Sequence, residues 1–185
     1  MEFDLKKFVS FGSCFVETGT AYGEGVVRAL AAGFTWVKSI EMEPSRVEFN
    51  KKKFADNDHV LLFQGDSSQR LGEMLVGEKL PVVIFLDSHP SGDQSAGHKE
   101  LQQYPDERKL ECPYHQHNIL RAELRMIFQY APAKSVILID DMNGDNADAK
   151  EYKKMIDGHY GVGTYEYSFY DADGVKEKVL AALPQ

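Results

Sequence analysis

The chain has few cysteines and no long apolar run. Only two of its 185 residues are cysteines, Cys14 and Cys112, and their spacing matches no metal-binding motif. Two such cysteines exclude a disulfide framework and predict free thiols in a reducing compartment. No apolar stretch approaches the roughly 20 residues of a membrane-spanning helix, and the amino-terminal segment lacks the pattern of a signal peptide. These absences predict a cytoplasmic protein without a membrane partner.

Positive charge is also scarce. Lysine and arginine number 21 against 29 aspartate and glutamate residues, which gives a formal net charge of −8. Nucleic-acid binding rests on clustered Lys and Arg, so this balance predicts that the partner is not a nucleic acid. The length fits one domain over residues 1–185, and a hydrophobic share of 43% is ordinary for a soluble globular protein.

The glycine-rich stretch ETGTAYGEG, residues 17–25, lacks the features of two common phosphate-binding loops. Its last glycine is not followed by the Lys and the Ser or Thr that a P-loop requires. Its glycines are spaced G-x-x-x-G-x-G, not G-x-G-x-x-G, and the preceding strand ends in an acid, Glu17. Because a carboxylate repels a pyrophosphate, the loop suits a ligand that carries a nucleoside and positive charge.

Apolar runs alternate with amphipathic stretches along the chain. The predicted strands cover residues 13–17, 35–41, 59–64, 81–87, 135–141, 164–170 and 175–183. The predicted helices cover residues 23–32, 44–55, 67–76, 115–130 and 147–158. Five β-α units and a terminal hairpin predict an α/β fold. We expect a single Rossmann-like, doubly wound seven-stranded sheet, mostly parallel with a C-terminal antiparallel hairpin.

Each of the five predicted parallel strands ends at or near an acid. These acids are Glu17, Glu41, Asp66, Asp87 and the pair Asp140 and Asp141. In a doubly wound sheet, ligands bind outside the carboxyl ends of the strands, so we expect one site there. The polar segment 88–114 is too long for an ordinary connection, and we predict a lid or substrate loop.

In the order of these motifs the chain resembles the class I S-adenosylmethionine-dependent methyltransferases. ETGTAYG resembles the loop against the methionine part of the cofactor, SIEME the acid on the ribose, and QGDSS the turn at the adenine. Glu41 follows Glu17 by 24 residues and precedes Asp66 by 25, each the length of one β-α unit. The resemblance implies a cofactor site of Glu17, Gly19, Thr20, Gly23, Gly25, Glu41, Met42, Gly65, Asp66, Ser67 and Asp87.

FLDSHPSG and ILIDDMNG resemble strand ends of the metal-dependent, catechol-type O-methyltransferases. The chain also resembles small methyltransferase-fold proteins with E-T-G-T, D-x-H and I-D-D motifs. The first likeness implies that Asp87, Asp140 and Asp141 hold Mg²⁺ or another divalent cation, with Asp87 and His89 as catalytic residues. The chain departs from the catechol-type enzymes, since it lacks their N-terminal helices and the Lys that serves there as base.

The predicted function is S-adenosylmethionine-dependent methyl transfer, as an O-methyltransferase, to a small-molecule oxygen or nitrogen. One alternative is a non-catalytic cofactor- or partner-binding module on the same fold. The other is a metal-dependent enzyme of another reaction class. Some of the polar residues near the predicted site also have simpler structural interpretations. Asp66 also fits a helix cap, and His115 and His117 fit a solvated helix start.

Overall fold

The computed structural model describes residues 3–88, 102–113, 115–142, 144–171 and 178–185. The strands are β1 (Cys14–Thr18), β2 (Trp36–Glu41), β3 (Val60–Gln64), β4 (Val83–Leu86), β5 (Val136–Met142), β6 (Tyr165–Asp171) and β7 (Lys178–Pro184). The α-helices are α1 (Glu24–Ala32), α2 (Pro44–Lys53), α3 (Ser67–Leu75), α4 (Gln116–Tyr130) and α5 (Ala147–Tyr160).

All seven strands belong to one sheet, in the order β3-β2-β1-β4-β5-β7-β6. Strands β1 to β5 pair in parallel, and β7 pairs antiparallel with both β5 and β6. The predicted seven-stranded, mostly parallel sheet with a C-terminal antiparallel hairpin is therefore confirmed. The strand order reverses between β1 and β4, and this switch point brings the carboxyl ends of β1, β2 and β4 together.

Two apolar layers cover the sheet, and successive residues of each central strand face opposite layers. In β4, Ile84 and Leu86 pack with α3, α4 and α5, whereas Val83 and Phe85 pack with α1 and the amino-terminal segment. All four side chains are buried. Burial on both faces explains why this strand is apolar throughout.

Two short 3-10 helices were not predicted. Leu5–Phe11 begins where the Asp4 side chain accepts a hydrogen bond from the Lys6 amide at 3.0 Å, and it buries two apolar side chains. Asp106–Glu111 lies within the predicted lid 88–114, so part of that segment is regular structure. Residues 89–101 and 114, including His89, lie outside the described residues, as do residues 172–177, which include the start of the last predicted strand.

None of the helices that the structure describes is both long and apolar enough to cross a membrane.

Candidate functional site

Backbone hydrogen bonds join the loops that follow β1, β2 and β3. The amides of Gly19 and Thr20 donate to the Ile40 carbonyl at 2.9 and 3.2 Å. The Gly65 amide donates to the Glu41 carbonyl at 2.9 Å. These bonds continue the sheet ladder past the strand ends, so the three motifs predicted to bind one ligand lie side by side.

Glu41 ends β2 with its carboxylate at the mouth of the glycine loop. Oε2 accepts the Ala21 amide at 2.9 Å and Oε1 accepts the Glu43 amide at 2.8 Å. Each carboxylate oxygen has two acceptor positions, so each oxygen can accept one further bond. The carboxylate is therefore held in a fixed orientation with capacity for two donors, which is what a vicinal diol presents.

The glycine loop passes very close to the end of β4. Gly19 has φ of +83°, and a Cβ added there would lie 2.3 Å from the Asp87 carbonyl oxygen. Gly23 also has φ of +83°, and its Cβ would lie 2.4 Å from Oδ1 of Asn50. These two positions require glycine for both backbone conformation and space. Asn50, which the sequence patterns did not identify, fixes the loop from α2 by donating to the Ala21 carbonyl at 2.8 Å.

Glu17 lies beneath the glycine loop and is only 2% exposed. Its Oε2 accepts from Ser39 Oγ at 2.6 Å, and Ser39 Oγ lies 2.6 Å from Thr20 Oγ1. Since the Ser39 proton points to Glu17, Thr20 donates to Ser39. The other carboxylate oxygen lies against Gly25, where an added Cβ would be 1.5 Å from Oε1. Glu17 therefore supports the loop from below, and burial raises its pKa from 4.5 to about 8.

Asp66 forms the N-cap of α3. Its Oδ1 accepts the Ser68 amide at 2.9 Å and Ser68 Oγ at 2.6 Å, and its Oδ2 accepts from Gln69 at 3.1 Å. The helix-cap interpretation of Asp66 is confirmed by these bonds. The adenine contact stays a prediction, as does that of the half-buried Met42 beside Glu41.

Asp87, Asp140 and Asp141 stand at the neighbouring carboxyl ends of β4 and β5. Among the residues that the structure describes, no group of three His, Cys, Asp or Glu side chains could hold a metal ion. Asp141 has φ of +57° at an irregularity in the pairing of β5 with β7, and it lines a cleft beside α4 and α5. The structure therefore gives no support to the metal site that the resemblance implied, and the cation stays a prediction.

That cleft, of about 360 Å³, lies between the end of β5 and the amino ends of α4 and α5. On one wall, His117 is fixed by Tyr152 OH, 2.7 Å from Nδ1, and by Glu151, 3.1 Å from Nε2. His115 Nδ1 accepts the His117 amide at 3.3 Å, and burial lowers the pKa of His115. Neutral His115 thus carries its proton on Nε2 and can act as a hydrogen-bond donor. His115 is the N-cap of α4, so the helix-start interpretation is confirmed, and both histidines are partly buried there.

A second buried carboxyl group, Glu123 of α4, was missed from the sequence. Its side chain is fully buried, and Oε1 accepts from Ser88 Oγ at 2.5 Å. Ser88 Oγ lies 2.7 Å from Ser67 Oγ, so the hydroxyl of Ser67 donates to that of Ser88. The signal was available, because Glu123 occupies a position on the apolar face of α4 with Leu120 and Ile127.

The two buried glutamates predict that stability falls as pH rises. Burial raises the pKa of Glu17 to about 8 and that of Glu123 to about 7. Above pH ~4.5 the unfolded chain loses protons that the folded protein keeps, so the free energy of unfolding decreases until pH passes the folded pKa values.

Glu123→Gln should remove the contribution of Glu123 and make the free energy of unfolding less dependent on pH between 5 and 7, by about 2 kcal/mol. Urea unfolding at several pH values measures this. The exposed Glu166 of β6 provides the control variant Glu166→Gln, whose curve should parallel the wild type. A Glu123→Gln curve parallel to the wild type would contradict the prediction.

The sequence matches no protein-family model and no curated protein. The fold matches solved structures. SMU.1697c of Streptococcus mutans, a methyltransferase candidate in complex with SAH, aligns with a TM-score of 0.60 and 11% identity over 97% of this chain and 95% of that chain. An O-methyltransferase of Bacillus cereus in complex with SAH aligns with a TM-score of 0.57 and 15% identity, over 97% of this chain and 78% of that chain.

An rRNA methylase of Streptococcus thermophilus gives a TM-score of 0.57 and 13% identity over 97% of this chain and 92% of that chain. At these identities the likeness shows the fold alone. The chain has the Rossmann-like fold of class I S-adenosylmethionine-dependent methyltransferases, so the resemblance drawn from the motifs is confirmed for the fold.

Proposed function

We propose that the protein is an S-adenosylmethionine-dependent methyltransferase that acts on an oxygen or nitrogen atom of a small molecule. One observation carries the proposal: the Glu41 carboxylate is fixed by two backbone amides beside the glycine loop, with one acceptor position left on each oxygen. The two remaining acceptor positions match the two hydroxyls of a ribose, and this support does not depend on the overall fold.

Each motif has a separate task in this proposal. Glu41 binds the ribose hydroxyls, and the loop from Gly19 to Gly23 gives close backbone approach to the methionine part. The amino end of α3, at Asp66 and Ser67, lies where the adenine would be recognised. Glu17, beneath the loop, supports it through Ser39 and Thr20. S-adenosylmethionine, when bound, supplies a methyl group activated by a sulfonium, so these residues need only align and desolvate the reactants.

The acceptor side belongs to the ends of β4 and β5 in this proposal. Asp87, at the end of β4, and the predicted base His89 would take the proton from the attacking hydroxyl or amine. The adjoining cleft offers a donor at His115 and a carboxylate at Asp141. Its arginine, Arg121, is paired with Glu151 at 2.7 Å. Such walls favour a small neutral or cationic acceptor over a phosphate backbone.

Thermal unfolding with S-adenosylhomocysteine (SAH), the demethylated cofactor, tests the proposal. At one hundred times the dissociation constant a ligand stabilises by about 2.7 kcal/mol. For this chain length that should raise the midpoint by roughly 5 to 11 °C. No shift at millimolar SAH would sink the proposal and favour a binding module that does not use this cofactor.

The same measurement decides whether a cation takes part. A further rise with Mg²⁺, lost in Asp140→Asn, would support metal-assisted transfer through the β5 carboxylates. Equal midpoints with and without Mg²⁺ would leave proton removal to the side chains.

A further inference from the structure

Glu123 is a charged residue placed where the helix pattern calls for an apolar one. It lies on the buried face of α4 with none of its surface exposed. Burying a carboxyl group costs free energy, so we expect a buried one to make hydrogen bonds that serve the structure or the site. Within the described residues, Oε2 of Glu123 has no hydrogen-bond partner, which adds to that cost.

The hydrogen bonds that Glu123 does make reach two different parts of the site. Oε1 accepts from Ser88, the residue after Asp87 at the end of β4. Ser88 in turn accepts from Ser67, the first residue of α3 and part of the predicted adenine turn. The chain of hydroxyls therefore connects the cofactor side of the switch point to its acceptor side, with the carboxyl group of α4 as its fixed end.

A similar arrangement supports the other half of the cofactor site. Thr20 donates to Ser39 and Ser39 to the buried Glu17, so a hydroxyl chain also ends on a carboxyl group there. Both chains fix residues beside a loop rather than contact the open surface. This parallel indicates that buried carboxyl groups hold the rim of the site in position in this protein.

We propose that Glu123 is a positioning residue that sets the adenine turn against the end of β4 through Ser88 and Ser67. The inference rests on the proposed function, since its readout is cofactor affinity. Oε1 positions Ser88 by accepting its hydrogen bond. A substituted side chain with an oxygen at the same place should therefore preserve the geometry.

Calorimetric titration with SAH tests the inference in the full-length protein. Glu123→Ala should weaken SAH binding by about tenfold or more, because the Ser88 hydroxyl loses its acceptor. Glu123→Gln keeps a side-chain oxygen for Ser88 and should stay within about threefold of the wild type. The double variant Glu123→Ala with Ser88→Ala should bind SAH no more weakly than the single variant with the larger loss, since both changes break the same chain of hydrogen bonds.

Ser135→Ala provides the matched control. Ser135 is also buried and bridges two segments, donating to the Pro132 carbonyl at 2.7 Å and accepting the Val82 amide at 3.2 Å. It lies at the opposite end of the sheet, so its loss should lower the unfolding midpoint and leave SAH affinity unchanged.

Wild-type affinity in Glu123→Ala, or an equal loss in Ser135→Ala, would overturn the inference and leave the proposed function intact. Failure of the wild-type protein to bind SAH would instead remove the proposed function. If Glu123→Ala does not fold, Ser88→Ala decides alone, because it removes the hydroxyl that contacts both Glu123 and Ser67. Wild-type affinity in that variant would also overturn the inference.

Discussion

Glu41→Gln is expected to weaken SAH binding by about a hundredfold, the largest binding effect of any single substitution in the site. A hydrogen bond to a charged group contributes roughly 1.5–3 kcal/mol, and a ribose diol would make two of them to this carboxylate. The amide of Gln keeps one acceptor oxygen and turns the other into a donor, which faces a ribose hydroxyl and a backbone N–H.

The substitution also disturbs the free protein. In the wild type, one carboxylate oxygen accepts the Ala21 amide and the other the Glu43 amide, so Gln leaves one of these amides without an acceptor. We therefore expect a lower unfolding midpoint, and binding must be measured well below it. Calorimetric titration at 25 °C with SAH gives the affinity of the folded fraction directly.

Glu43→Gln is the matched control. Glu43 lies two residues away, and the bond that its side chain makes to the described residues is a long one, from Ser45 Oγ at 3.3 Å. The change removes the same charge beside the same loop, so it should alter SAH affinity by less than about threefold. Equal losses in both variants would mean that general negative potential, and not the two oxygens of Glu41, holds the ligand.

The sequence could predict these site residues because each one ends a parallel strand. An apolar run followed by an acid identifies both the strand and its carboxyl end, as with Glu17, Glu41 and Asp87. The chain's own alternation of strands and helices then places all of these ends at one edge of the sheet. Position along the chain was therefore enough to place these acids together, while their roles toward a cofactor stay predictions.

Side-chain partners could not be predicted in the same way. Ser39, Ser88 and Glu123 meet their partners only after three separate elements have packed, and no spacing in the sequence encodes those contacts. The insertion of β7 between β5 and β6 likewise depends on long-range pairing. Among the described residues, Asp87, Asp140 and Asp141 do not form a group that could hold a metal ion, although all three stand at neighbouring strand ends.

The contact between Gly25 and Glu17 is another feature that only the structure reveals, and it predicts a result opposite to the usual rule. Replacing glycine by alanine within a helix normally stabilises a protein by about 0.4–1 kcal/mol. Gly25 lies in the first turn of α1, yet Gly25→Ala should destabilise this protein by about 2–3 kcal/mol. The added Cβ would lie 1.5 Å from Oε1 of Glu17.

Glu17 cannot move aside without loss. Its carboxyl group is 2% exposed and held by Ser39 Oγ at 2.6 Å, so a shift breaks that bond inside the core. A loss of this size should lower the unfolding midpoint by about 5 to 10 °C for a chain of this length. Since Glu17 supports the glycine loop, SAH affinity should fall as well.

Gly158→Ala is the control within the same protein. Gly158 lies in α5, where an added Cβ meets nothing within 4 Å, so this variant should be as stable as the wild type or more so. Glu17→Ala combined with Gly25→Ala removes the clash, and the double variant should be less destabilised than the sum of the two single changes. Additive effects would contradict the assigned contact, because substitutions that share no partner add. A double variant less destabilised than that sum would instead identify the Glu17 carboxyl group as the reason that this helix position requires glycine.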